Sequence, residues 1–145
     1  MNVNNKKVLD FIGKHRISVL STVQDDGKPY SATLHYANSV KPLQFLFITE
    51  KTSKKCQPLK DEKLHPASLV VGFSEEEFIT LQMQGNIQIV SNSKKLQKSW
   101  NAYTEKYPQA TKRKIDPNFV ILSFTLNWWK YTELKPSPPT IISSE

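Results

Sequence analysis

The residues with the clearest chemical potential lie in one short run. Thr49 is followed closely by Thr52-Ser53-Lys54-Lys55, so hydroxyls, backbone N–H groups and two ammonium groups converge where a strand gives way to a loop. That set suits a phosphate monoester, because charged donors make short, strong hydrogen bonds to phosphate oxygens. No Walker-type or dinucleotide glycine pattern accompanies it, and the four glycines stand far apart. A second candidate is His35, which shares strand parity with Ser31 and Thr33 and completes a small polar stripe. Such a histidine is either a satisfied surface residue or a ligand contact. Hydrolytic chemistry has little to stand on. There is no Gly-x-Ser-x-Gly elbow and no His-Glu-x-x-His pair. Cys56 sits among lysines, which can lower a thiol pKa, yet a lone thiol in such a loop reads as incidental. A single cysteine excludes an internal disulfide and a multi-thiolate metal site, and the scattered His15, His35 and His65 argue against a histidine-based one.

These residues need a framework, and the hydropathy pattern predicts one. Val8, Phe11, Ile12 and His15 recur at helical spacing, which predicts a short amphipathic helix over 4–15. Residues 17–23 and 30–37 read as strands joined by the Asp26-Gly27 turn, and 43–49 as a third. The lysine-rich stretch 50–66 reads as a loop with one short helix between Pro58 and Pro66. A strand follows over 67–73. The cleanest pattern comes next. Over 78–90, Ile79, Leu81, Met83, Ile87 and Ile89 alternate with Thr80, Gln82, Gln84, Asn86 and Gln88, which predicts a long strand with one buried face. Gly85 falls on that inward face, where it would let the strand bend. A second helix is expected over 93–106, capped by Ser93 and striped by Leu96, Trp100, Tyr103 and Tyr107. The last clear strand is 119–126. The proline-rich tail 135–145 is expected to run extended over the surface, leaving 1–134 as a single domain. The fold class is therefore mainly β: six antiparallel strands in a small barrel with flanking helices.

Composition narrows the function classes. The 145 residues and 38% hydrophobic content fit one soluble domain, and no run approaches the length of a membrane helix. Met1 to Lys7 carry no apolar stretch like that of a secretory signal, so the expectation is a cytoplasmic protein. Twenty basic residues against 13 acidic ones leave a charge of +7, nearly all of it lysine. Lysine suits point-charge contact with phosphates better than base reading, and no nucleic-acid reader motif is present. Lysines and one arginine between 94 and 114 read as a solvated face.

The order of parts resembles the pyridoxamine 5′-phosphate oxidase-like family of FMN-binding split β-barrels, from Ile17 to about Leu134. The residues that carry the resemblance are Ile-Ser-Val-Leu-Ser-Thr-Val followed by Gly27 and Pro29, then Phe-Leu-Phe-Ile-Thr before the loop, and Thr-Ser-Lys-Lys within it. Leu-Gln-Met-Gln-Gly-Asn-Ile-Gln-Ile-Val carries the family's glycine, and Asn-Ala-Tyr-Thr-Glu-Lys-Tyr-Pro looks like a helix of a small bacterial branch. The resemblance implies a homodimer with two FMN sites shared across the interface. It implies that Thr49, Ser53, Lys54 and Lys55 hold the phosphate, that Thr33, Leu34 and His35 line the ring system, and that Trp128 or Trp129 reaches across the dimer. A dimer is also expected because Trp100, Trp128, Trp129 and Tyr131 exceed what so small a core would comfortably bury.

The chain departs from the true oxidases in three places. Residues 31–36 lack their second-strand arginine and lysine, Lys54 stands where they have an arginine, and their C-terminal substrate arginine and histidine are missing. The resemblance therefore implies a flavin-dependent oxidoreductase of another small substrate and argues against oxidation of pyridoxamine phosphate. Two alternatives stay open. One is a binding module for flavin, deazaflavin or haem without turnover. The other is a cofactor-free dimeric barrel with an acidic partner.

Overall fold

A computed structural model describes residues 3–144. The chain runs α1 (Lys6–Lys14), β1 (Ile17–Val23), β2 (Pro29–His35), β3 (Ala37–Val40), β4 (Leu43–Glu50), β5 (His65–Val71), β6 (Ile79–Ile89), α2 (Ser93–Lys106), β7 (Phe119–Glu133) and β8 (Thr140–Ser143). Two 3₁₀ segments, Lys54–Leu59 and Pro108–Ile115, lie before β5 and after α2. All strand pairs are antiparallel, in the order β2-β1-β5-β6-β7-β4-β3, with β8 beside β7. This is the mainly β split barrel with flanking helices, with eight strands where six were expected.

The two extra strands come from places where simple periodicity fails. The second strand does not continue to Ala37, because Tyr36 turns inward. Its side chain is fully buried, its N–H donates to the Arg16 carbonyl, and its hydroxyl donates to the Ile12 carbonyl at 2.6 Å. Residues 37–40, expected as the end of a strand and a turn, then pair with β4. The tail does not simply lie over the surface either. β7 is long enough for β4 to pair with its first half and β8 with its second, in the register Glu133↔Thr140 to Lys130↔Ser143. Ser144 fastens the end: its N–H donates to the Trp129 carbonyl, and its hydroxyl accepts from the Trp129 N–H.

The alternation read along 78–90 holds. Leu81, Met83 and Ile87 are at most 1% exposed and sit in the main core with Leu20, Phe45, Phe47, Leu69, Leu122 and Phe124. α1 adds Val8, Phe11 and Ile12 to this core, and Asn5 caps it by accepting from the Val8 N–H. A second core lies on the other side of β4 and β7, where Trp100, Tyr103 and Tyr107 of the α2 region cover Leu46, Ile48 and Ile121. Two local expectations are corrected. Asn92, not Ser93, caps α2, with Oδ1 accepting from Lys95 N–H at 3.1 Å. The helical turn in the lysine-rich loop covers Lys54–Leu59 and contains Pro58, because burial of Cys56, Pro58 and Leu59 pins it to the barrel.

At the centre of β6 the ladder shifts. Gln84 pairs with Trp128 and Gly85 with Leu126, leaving Asn127 as the extra residue of a bulge. Leu126 is buried before the bulge and Trp129 after it, so strict alternation from Phe124 assigns the tryptophans to the wrong faces. Gly85 lies opposite, where a Cβ would run into the Thr125 carbonyl.

Candidate functional site

The loop after β4 is built by two consecutive tight turns. Ser53 N–H donates to the Glu50 carbonyl, Cys56 N–H to the Ser53 carbonyl, and Lys51 N–H ties the loop to Asn118. This folds Ser53 back over the strand end, so its Oγ stands 3.5 Å from Thr49 Oγ1. The Ser53 hydroxyl also lies 3.3 Å from Cys56 Sγ, to which it donates. Burial pushes the Cys56 thiol pKa up, against smaller opposing effects of Ser53 and Lys55. The thiol is therefore held protonated, which fits a packing residue rather than a nucleophile. Lys54 projects outward, and its ammonium lies 5.4 Å from the centre of the Tyr30 ring at the start of β2. A shallow groove of about 340 Å³ opens there. It is lined by Lys54, Tyr30 and Gln57, and by Asp25 and Asp26 of the hairpin turn, whose carboxylates oppose an anion on that side.

β2 is an edge strand, and its alternation separates the expected trio. Thr33 and His35 face outward with Ser31, whereas Leu34 turns the other way and packs against the core. Ser31 Oγ lies 2.7 Å from Ser21 Oγ on the neighbouring strand. His35 meets the Tyr107 ring edge-on at 5.8 Å. Around Tyr107 stand two cations that sequence reasoning missed. The Arg16 guanidinium lies 4.9 Å above the Tyr107 ring, and Lys106 Nζ lies 4.5 Å above the Tyr36 ring while donating to the His15 carbonyl. Burial, aided by the Arg16 charge, holds the Lys106 ammonium below its usual pKa. Second-strand cations are absent from residues 31–36, yet the fold brings positive charge to the end of that strand from both flanking segments. Only the position of Arg16, one residue before β1, hinted at this.

The tryptophan pair divides as the bulge dictates. Trp129 is 6% exposed and packs in the main core, so it is removed from the expected site. Trp128 is half-buried on the outward face, in register with Gln84. Four strand spacings of about 4.8 Å separate β7 from β2, which places Trp128 ~19 Å away across the sheet. One ligand on β2 therefore cannot touch Thr33 and Trp128 of the same chain. Among the described residues no cluster of His, Cys, Asp and Glu could hold a metal ion. The donor set of the loop, two hydroxyls and two ammonium groups, fits the phosphate of FMN.

The comparisons agree with this architecture. The signature of the family described as "Pyridoxamine 5'-phosphate oxidase" matches residues 5–133. A conserved hypothetical protein from Mycobacterium tuberculosis has a similar structure, with TM-score 0.71 and 17% identity over 92% of this chain and 88% of that one. A pyridoxamine 5′-phosphate oxidase-related, FMN binding protein from Nostoc punctiforme gives 0.68 and 18%, over 96% and 88%. HutZ, described as a haem storage protein from Vibrio cholerae, gives 0.71 and 11%, over 87% and 91%. A search of the curated proteins finds no significant match. With its strand order, the loop that closes on β2 and a signature covering nearly its whole length, the chain belongs to the pyridoxamine 5′-phosphate oxidase-like family of split β-barrels.

Proposed function

We propose that the chain is a cytoplasmic homodimer that binds FMN and uses it to oxidise or reduce a small substrate other than pyridoxamine phosphate. The observation that carries this reading is the end of β4, where the Thr49 and Ser53 hydroxyls stand 3.5 Å apart beside the Lys54–Lys55 run and Lys54 reaches Tyr30 at the start of β2. Thr49, Ser53, Lys54 and Lys55 hold the phosphate. Thr33 and His35 flank the ring system, and Arg16 adds positive charge at its far end. The flavin supplies the hydride chemistry, and the chain binds and orients it. The Nostoc relative, described as FMN binding, supports the choice of cofactor. The outward face of the sheet supports the dimer. Ile17, Val23 and Ile141 are 43%, 44% and 59% exposed there, beside half-buried Val19 and Val70. A second copy docked on this face would bring the partner subunit's Trp128 toward β2.

The test is a titration with FMN and with riboflavin, which lacks the phosphate. Charged hydrogen bonds contribute about 1.5–3 kcal/mol each, so Lys54→Ala/Lys55→Ala should weaken FMN binding by roughly two orders of magnitude or more. Riboflavin should bind weakly and be indifferent to the change. Lys60→Ala/Lys63→Ala removes the same charge from the same stretch and should leave FMN almost unaffected. Equal losses from the two variants would overturn the phosphate site, and absence of FMN binding would overturn the flavin reading.

One observation favours a second reading, a haem-binding module. The His35 imidazole stands exposed on β2 and enters no ion pair among the described residues, so a ring nitrogen is accessible to an iron. HutZ, described as a haem storage protein, has the same fold. The absorption spectrum of the purified protein separates the two: flavin bands support the first, and a Soret band that His35→Ala abolishes supports the second. A featureless spectrum favours a cofactor-free barrel with an acidic partner.

A further inference from the structure

A larger cleft, of about 520 Å³, lies away from β2, between α2 and the sheet face formed by β3, β4, β7 and the end of β6. One stripe of α2 forms one wall. Lys95, Lys98, Ser99 and Ala102 follow the i, i+3, i+4, i+7 spacing of a single helix face, and all four line the cleft. Ser123 rises from the opposite wall, in register with Leu46 and Gln88, which line it too. Lys41 stands at the rim on the β3–β4 turn.

Two features indicate that the cleft is built for a ligand. Ser99 and Ser123 are 9% and 7% exposed, and among the described residues neither hydroxyl has a hydrogen-bond partner. A serine inside a helix ordinarily bonds back to a carbonyl one turn earlier, as Thr104 does to Trp100 at 2.7 Å, but Ser99 does not. The one fully buried side-chain polar atom without a hydrogen-bond partner among the described residues is His15 Nε2, so both serine hydroxyls open onto the cleft and are free to bond to a molecule in it. The second feature is charge. Lys41, Lys95 and Lys98 enter no ion pair among the described residues, and Glu62 is the one carboxylate among the lining residues. Three ammonium groups against one carboxylate leave two positive charges, which matches the roughly −1.5 to −2 of a phosphate monoester at neutral pH. The lysines from 94 onward, read from sequence as a solvated face, are thus partly turned into a cavity.

We infer that this cleft binds a small organic phosphate monoester, with the phosphate at the Lys95–Lys98 rim and a hydroxylated body against Ser99 and Ser123. Its volume lies within the ordinary range of ligand pockets, and Leu46, Val90 and Ala102 supply an apolar wall. The site shares no residue with the 49–55 run or with β2, so it stands whether or not FMN binds there.

The experiment is a calorimetric titration of the full chain with ribose 5-phosphate, ribose and inorganic phosphate, with binding mapped by amide NMR shifts. Ribose 5-phosphate should bind, ribose should not, and the shifts should centre on 95–102 and Ser123. Lys95→Ala/Lys98→Ala should weaken binding at least about tenfold. Lys94→Ala/Lys112→Ala, which removes the same charge outside the cleft, should change it less than about threefold. Ser99→Ala/Ser123→Ala should weaken ribose 5-phosphate but leave the unfolding midpoint undiminished, since neither hydroxyl has a partner to lose. Equal losses from the two lysine pairs, shifts centred on 49–55, or no binding of either phosphate below about 10 mM would overturn the inference.

Discussion

At Gly85 the backbones of β6 and β7 come so close that a Cβ would run into the Thr125 carbonyl oxygen and lie 2.8 Å from Leu126 Cα. The obstacle is backbone on a paired strand, which cannot swing aside as a flexible side chain can. Gly85→Ala should therefore destabilise the fold by about 2 kcal/mol or more, as overpacking of a well-packed interior does. Urea unfolding monitored by tryptophan fluorescence would show this, and an unchanged midpoint would mean that the two strands part easily. Gly85 is legible in the sequence because it falls on the apolar parity of β6. Arg16 and Lys106 are not, because neither belongs to the strand it charges. They reach the His35 end of β2 only after α1 and α2 have packed, and no local pattern encodes that meeting. The unpartnered Ser99 and Ser123 were equally hidden, being ordinary polar residues until the cleft closes around them.

Among the elements, a strand with one buried and one wet face can be read, and the two shortest edge strands cannot. β6 shows its alternation openly because its even residues meet water and its odd residues meet the core. β3 and β8 are four-residue edges whose apolar residues are few, and only their partners define them. α1 is legible as a helix, but its anchoring is not. Lys14 Nζ lies 2.9 Å from Glu77 Oε2 and Lys7 Nζ lies 2.9 Å from Glu133 Oε2, which ties both ends of the helix to the barrel. His15 Nε2 adds a contact at 3.3 Å to Glu77 Oε1. The lysine hydrogen bonds hold both carboxyls below their ordinary value of 4.5. A depressed carboxyl stabilises the fold above its unfolded pKa, and that stabilisation is lost as pH falls through the folded one. The docking of α1 should therefore persist from neutrality to about pH 4.5 and loosen below it. Hydrogen exchange, corrected for intrinsic rates, should show α1 amides losing protection in acid before those of β6. In Glu77→Gln/Glu133→Gln that acid step should be absent; a step of the same size would show that other groups cause it.

For the whole molecule, the dimer is a proposal that the count of aromatic residues does not support. Trp100, Trp129 and Tyr131 are all buried within one chain, at 5%, 6% and 2% exposure, so the number of aromatics requires no partner. The better argument is the outward sheet face, where Ile17, Val23 and Ile141 stay exposed on the surface that carries Thr33 and His35. Ile17→Asp should convert the dimer into a folded monomer, seen as a halved mass by light scattering with an unchanged circular dichroism spectrum. A wild-type chain that is already monomeric at micromolar concentration would refute the dimer.

The bulge at Asn127 carries a genetic consequence. Gly85 is squeezed because β7 fits one residue more than β6 at that point, and pairing resumes on either side as though Asn127 were not there. Removing Asn127 should restore plain alternation, keep Trp129 inward and Trp128 outward, and relax the approach that forbids a side chain at position 85. Alanine at 85 should therefore be harmful in a chain that keeps residue 127 and tolerated in one that has lost it. A cycle of Gly85→Ala, deletion of Asn127 and both together should show a favourable coupling of about 1–2 kcal/mol, whereas strict additivity would uncouple the two sites.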